Sequence, residues 1–285
     1  MHRFGIASAC CAALLAACSG ASGGAATHAT QVGAARIVTL VPSFADDVAA
    51  LGAQSQLAGV SAFTDAPGTN DLPRVADASS VDDEAIVALR PSVVVGIPAQ
   101  ARLVEPLRRA RVRVVLLPDD SYDSIFANLR AIGALAGRQR RADATVARLR
   151  QETARLVART RSFARRPSVF VVLGTGPIWT AGAGSYISAL IALAGGTNAA
   201  GDLPAAYGEY SAEALLRRQP DMLVADASTH LELVVDREPW RSLDAVRHGR
   251  VYPVDPRIIE RPGPSYNDGV RWLMDRIAPL AQSRP

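Results

Sequence analysis

The chain has no lysine; all 31 of its basic residues are arginine. Cysteine is almost as scarce, with Cys10, Cys11 and Cys18 the only three. Beyond Cys18 no thiol remains for a disulfide, a nucleophile or a metal site. Histidine is sparse too. His28, His230 and His248 are too few and too scattered to converge with carboxylates as the ligands of a zinc or manganese carrier. Aromatic residues make up 5% of the chain, and none of them forms an RNA-binding signature. Zinc-finger spacing and a basic N-terminal arm are also lacking, so a pI near 9.3 does not imply nucleic acid. Ten of the arginines fall between Arg138 and Arg166, where they recur along one predicted helix as a solvated face.

Long apolar runs are absent as well. The stretch from Ile6 to Leu15 is too short to span a bilayer, which takes about 20 apolar residues. It follows an early positive charge at Arg3 and ends in Leu15-Ala16-Ala17-Cys18. Residues 1–17 therefore read as a secretory signal peptide, and its end resembles the lipobox of bacterial lipoproteins. That resemblance implies lipidation at Cys18. Residues 18–35, rich in Gly, Ala, Ser and Thr, read as a flexible tether. The expected location is the periplasmic or extracellular face of a membrane, with the chain held there by its lipid.

From Arg36 onward, β-branched runs alternate with helical patterns. Strands are predicted over residues 36–41, 57–62, 92–97 and 112–117, with helices over 44–51, 82–89, 103–110 and 121–136 and a turn at Pro42-Ser43. Continuous apolar strands alternating with helices indicate a mostly parallel sheet covered on both faces. Residues 138–161 break the alternation. They hold no Gly or Pro and carry an apolar stripe through Ala142, Val146, Leu149, Leu156 and Val157. A helix of that length spans about 36 Å, which suits a strut between two lobes. Strands then resume over 168–173, 178–181, 221–225 and 251–254, with helices over 186–194, 211–218 and 265–280. The predicted fold is α/β: two doubly wound lobes, residues 36–137 and 163–285, joined by one long α-helix over 138–162.

Several segments carry a family resemblance. They include Arg36-Ile37-Val38-Thr39-Leu40-Val41-Pro42-Ser43, Leu57-Ala58-Gly59-Val60-Ser61 and the block from Asp83 to Val94. The second half adds Thr180-Ala181-Gly182, the stretch from Ala194 to Asn198, the block from Ser211 to Leu223, and Arg261-Pro262-Gly263-Pro264. In this order they resemble the helical-backbone periplasmic binding proteins of the iron-siderophore, haem and cobalamin class. The resemblance implies a monomeric solute-binding protein that serves an ABC permease and its ATPase. Cobalamin or a related corrinoid is the expected ligand, held in a cleft between the lobes; haem and ferric siderophores are the alternatives. Neither a cofactor nor a resident metal is implied.

Ligand contacts are expected on loops after strands, at Ser43, Phe44, Phe63, Trp179, Tyr207, Arg261 and Tyr266. Ala78 stands where the resemblance leads one to expect a tryptophan. Arg261 can meet a phosphate or carboxylate bidentately, and Tyr207, Tyr210 or Tyr266 can serve as an axial ligand to haem iron. Glu84 and Glu213 begin equivalent helices, each seven residues before a proline, Pro91 and Pro220. The resemblance makes them the pair that docks on the permease, and each also suits a helix N-terminus as an acid. An enzyme is not expected. The chain has no G-x-S-x-G elbow, P-loop or H-E-x-x-H, and Pro177 interrupts Gly174-Thr175-Gly176 where a dinucleotide loop would start its helix. A metal-cofactor enzyme of related two-lobed architecture is the second alternative, and it would need cysteine or histidine ligands that the mature chain, from Cys18 onward, lacks.

Overall fold

Strands buried on both faces pair side by side, and here they do so in two separate sheets. The computed structural model describes residues 35–282. The expected signal peptide, Cys18 and all but the last residue of the tether lie outside the described residues. In the first half, β1 (Ile37–Thr39), β2 (Leu57–Ser61), β3 (Arg74–Ala76), β4 (Val93–Gly96) and β5 (Val114–Leu116) pair in the order β3-β2-β1-β4-β5. Every pairing is parallel. Helices α1 (Pro42–Ala50), α2 (Asp83–Ala88), α3 (Glu105–Arg109) and α4 (Tyr122–Leu135) connect and cover the strands. The long helix α5 (Gln139–Arg159) follows. It is shorter than predicted, because the chain tightens into a 3₁₀ turn at Thr160–Ser162.

The second half contains β6 (Ser168–Val172), β7 (Gly174–Thr175), β8 (Ile178–Ala181), β9 (Thr197–Asn198), β10 (Tyr207–Glu209), β11 (Met222–Asp226) and β12 (Val251–Val254). The order β12-β11-β6-β9 makes a parallel sheet, and β10-β8-β7 an antiparallel ribbon. Its helices are α6 (Tyr186–Leu193), α7 (Ala212–Arg218), α8 (Asp244–Arg247), α9 (Pro256–Ile259) and α10 (Tyr266–Gln282). In both sheets the strand order reverses near the middle. Loops leaving the carboxyl ends of the strands there open a crevice, the usual place for a ligand in such folds.

Two local differences from the sequence reading matter for the site. Helix α1 starts at Pro42 instead of residue 44, since proline at the first helical position gives up an N–H that had no partner anyway. Ser43 and Phe44 thus enter the helix and turn inward. Tyr207, expected in a loop, sits in β10 opposite Ala181.

The largest apolar cluster runs through both halves. It joins Ile37, Phe44 and Leu129 to Val146, Leu149 and Leu156 of α5, and these to Ile187, Leu190, Leu273 and Ile277. Smaller clusters cover the other face of each sheet, around Val38, Val94 and Leu107 in the first half and around Phe170, Leu223 and Trp240 in the second. Helix α5 is therefore no free-standing strut. Its buried stripe seats it against α4 and α10, while its arginines face solvent. Gly133 lets α4 approach: a Cβ there would lie 2.6 Å from that of Ala142.

A polar knot pins the same seam. The Thr153 hydroxyl and the Asn267 amide, at 2.9 and 3.2 Å, both donate to the Leu149 carbonyl. The Tyr266 hydroxyl contacts the Thr153 hydroxyl and lies 3.3 Å from that of Tyr122. The rings of Tyr122, Phe126 and Tyr266 meet edge to face at 5.1–5.9 Å, and the Arg150 guanidinium lies over Phe126. Leu149→Ala is expected to cost about 2–5 kcal/mol of stability in denaturant unfolding, the range for a buried leucine. Arg148→Ala, on the solvent face beside Glu152, is expected to change stability by no more than about 0.5 kcal/mol. Equal effects would mean that α5 is not seated through this stripe.

Candidate functional site

Loops from the carboxyl ends of strands in both halves enclose the cleft. Pro42, Phe63, Asp65 and Ala78 face Asp226, Ser228, Asp255, Arg257, Glu260 and Arg261 across a cavity of about 740 Å³. Two chambers adjoin it. An apolar one of about 280 Å³ shares Phe63 and Ala78 and is walled by Leu40, Ile97 and Leu103. A polar one of about 350 Å³ shares Glu260 and is lined by Asp119, Asp120, Trp179 and Tyr207. Phe63 (72% exposed) and Trp179 (41% exposed) are large apolar side chains that solvent reaches at the rim, a position that makes sense if something covers them.

An ionic clasp crosses between the halves beside the cavity. The Arg261 guanidinium is 2.5 Å from the Asp65 carboxylate and 3.6 Å from Asp46, and it donates to the Phe63 carbonyl at 2.9 Å. Arg257 donates to the other oxygen of Asp65 at 2.9 Å and grips Asp255. Both cleft arginines are thus occupied by carboxylates of the protein itself. Beyond the clasp lies a more open hollow of about 610 Å³ that includes Ala49, Gln54, Pro67 and Ile258.

A model of the family described as periplasmic binding protein matches residues 37–258. The chain belongs to that family. It is 26% identical over 253 residues to the uncharacterized ABC transporter substrate-binding lipoprotein YvrC of Bacillus subtilis, covering 86% of this chain and 80% of that one. It is 30% identical over 200 residues to the vitamin B12-binding protein of Pectobacterium carotovorum, covering 68% of this chain and 71% of the relative. Among solved structures, the periplasmic haem-binding protein RhuT of a Roseiflexus species in apo form superposes with a TM-score of 0.78. There the identity is 26%, over 88% of this chain and 100% of the other. Membership makes this a binding protein and not an enzyme, and its cleft groups are read accordingly.

The structure brings Phe63, Trp179, Tyr207 and Arg261 to the cleft and leaves three expected contacts out. Phe44 and Tyr266 are fully buried in the core, Tyr266 as part of the knot at Leu149. Ser43 is buried in α1 beneath Gly263. The cause is the early start of α1 in the first half and the inward face of α10 in the second. Glu84 and Glu213 are both exposed, and each is the second residue of its helix, behind the N-caps Asp82 and Ser211. Tyr210 is engaged with Asp202. His230 and His248 are exposed, and no cluster able to hold a metal occurs among the described residues.

What sequence reasoning missed is the acidity of the site. Asp119 and Asp120 follow β5, Asp226 ends β11, and Glu260 follows α9. Each stands at or just past the end of an element, at the crevice, and that position was the available signal. Burial raises Asp119 to about 6, with the charge of Asp120 adding to it. Burial, then the charge and hydrogen bond of Asp226, raises Glu260 to about 8. Burial chiefly, then the charges of Asp119, Glu260 and Asp120, pushes the Tyr207 phenol above its ordinary range. Burial works to raise Asp65 as well, but hydrogen bonds from Arg261 and Arg257 outweigh it and hold that carboxyl low.

Asp47, on α1 close to Gly263, is fully buried, and neither of its carboxyl oxygens has a partner. Burial, with the charge of Asp46 added, raises it well above 3.8. The folded state therefore keeps a proton that the unfolded chain has already released above that pH. Where the unfolded state binds fewer protons, stability falls as pH rises. The Asp47 contribution is absent below about pH 3.8 and grows as a destabilisation above it. Asp47→Asn is expected to unfold at higher denaturant concentration than wild type at pH 7, with the gap narrowing toward pH 4. Parallel curves at the two pH values would contradict the assignment.

Proposed function

We propose that this chain is the lipid-anchored, extracytoplasmic substrate-binding component of an ABC importer, and that its cleft captures cobalamin or a related corrinoid. The observation that carries the ligand reading is the charge of the cavity. It is rimmed by Phe63 and Trp179 and lined with carboxylates, and its two arginines are already bound to Asp65 and Asp255. A haem with two propionates, or an anionic siderophore, meets no free cation there. A corrinoid offers amide N–H groups, which carboxylates accept, and a broad apolar face for the aromatic rim. The vitamin B12-binding relative points the same way. With alanine at position 78, the apolar chamber beside Phe63 stays open and adds room on that side.

Haem is the second reading, favoured by Tyr207, which lines the polar chamber and is the right residue type for ferric iron. The upward shift of its phenol makes the phenolate costly and weakens that reading. An absorbance titration separates the two. Cyanocobalamin is expected to bind more tightly than haemin, and Phe63→Ala or Trp179→Ala to weaken it by about tenfold or more each, as loss of an aromatic anchor does. Tighter haemin binding that depends on Tyr207 would reverse the assignment.

Glu84 and Glu213 are the proposed contacts with the permease. Among the described residues, each is exposed on the first turn of a matching helix, so one carboxylate per half gives a two-point contact that orients the complex more than it strengthens it. The anchor is proposed at Cys18. Changing Glu84 and Glu213 together to Ala is expected to leave the affinity for cyanocobalamin unchanged and to abolish uptake in cells. Uptake at the wild-type rate would remove the docking role.

A further inference from the structure

We infer that Glu260 and Asp226 form a proton-sharing carboxyl pair at the heart of the cleft, and that ligand capture keeps its proton in place. The inference rests on the cleft being the ligand site and deepens that reading.

Three features of the geometry support it. First, Glu260 lies where the main cavity and the polar chamber join and lines both, so a large ligand in the cleft covers it. Second, the proton has an assigned owner. Asp226 accepts from the Ser228 backbone N–H at 2.8 Å and from the Ser228 hydroxyl at 2.9 Å, one on each carboxyl oxygen. Asp226 thus already has a donor on each carboxyl oxygen, which leaves Glu260 as the member of the pair that lacks one. Third, Glu260 Oε1 is buried, and no group donates to it. A buried oxygen without a donor is costly. A proton on Glu260, given to Asp226, satisfies the pair.

The surroundings keep the proton there. Asp119 and Asp120 face the pair from the loop after β5, and the Tyr207 phenol, uncharged, from β10; none of the three is a cation. On the other side Asp65 and Asp255 add negative charge, and they occupy Arg257 and Arg261. Among the described residues that line the two cavities no cation is left to stabilise an ionised Glu260, in keeping with its rise to about 8. A ligand that displaces water from the cleft makes a second buried charge costlier still. Binding is therefore linked to retention of one proton, and affinity falls as pH climbs past the point where free Glu260 lets its proton go.

The test has a ligand-free arm and a ligand arm. In the unliganded protein, carboxyl-carbon NMR is expected to show Glu260 titrating near pH 8 and moving toward the ordinary carboxyl range in Asp226→Asn. In titrations with cyanocobalamin from pH 6 to pH 9.5, wild-type affinity is expected to be flat to about 8 and then to fall by up to about tenfold per pH unit, the limit for one linked proton. Glu260→Gln, which keeps a donor toward Asp226, is expected to show no such fall, whatever its affinity at pH 7. An ordinary titration of Glu260, or an equal fall in Glu260→Gln, overturns the pair. If cyanocobalamin binds at no pH, the ligand reading fails, while the NMR arm still decides whether the pair holds its proton.

Discussion

The carbonyl of Leu149 is the point on which the geometry depends. Buried inside α5, it receives the Thr153 hydroxyl from its own helix and the Asn267 amide from α10, and the Tyr266 hydroxyl reaches it at 3.3 Å. A threonine that bonds back to the carbonyl four residues earlier is ordinarily neutral or slightly unfavourable for a helix. Here it sets a polar contact in an otherwise apolar seam and fixes the register of α10 against α5. Through Tyr122 and Phe126 the same knot holds α4. The two sheets are thereby set at a fixed separation, with the carboxyl ends of their strands directed at each other. The cleft results from that spacing.

Charge then shapes what the cleft accepts. Each exposed ion pair contributes little to stability, and the clasp of Arg257 and Arg261 on Asp65 is better understood as an assignment of charge. It withdraws both arginines from the ligand's reach and leaves carboxyls as the dominant polar groups. Burial raises Asp119 to about 6 and Glu260 to about 8, so near neutrality the cavity carries less charge than a count of its acids implies. Both support the proposed preference for a large, neutral, amide-bearing solute over an anion.

The scaffold was readable because its signals are local. The run RIVTLV, the run SVVVGI and the glycine-free, arginine-rich stretch from residue 138 onward each announce their own structure. Phe63 was readable as a loop aromatic for the same reason. Phe44 was misplaced because α1 starts two residues early, and Tyr266 because, as the first residue of α10, it belongs to the inward face of that helix. The acidic groups were legible only as single residues at the ends of elements, not as a cluster. Asp119, Asp226 and Glu260 come from separate stretches of chain, and only the fold brings them to one cavity. Their protonation depends on burial, for which sequence has no period.

The apolar cluster that passes from Ile37 through α5 to Ile277 without a break has one more consequence. Proteins made of two lobes often come apart lobe by lobe, each with a midpoint of its own. Here neither lobe has a complete interior once the other is gone, because the shared helix supplies part of both. The halves stand or fall together, so heat should meet one cooperative unit, and whatever steadies the cleft steadies the whole molecule.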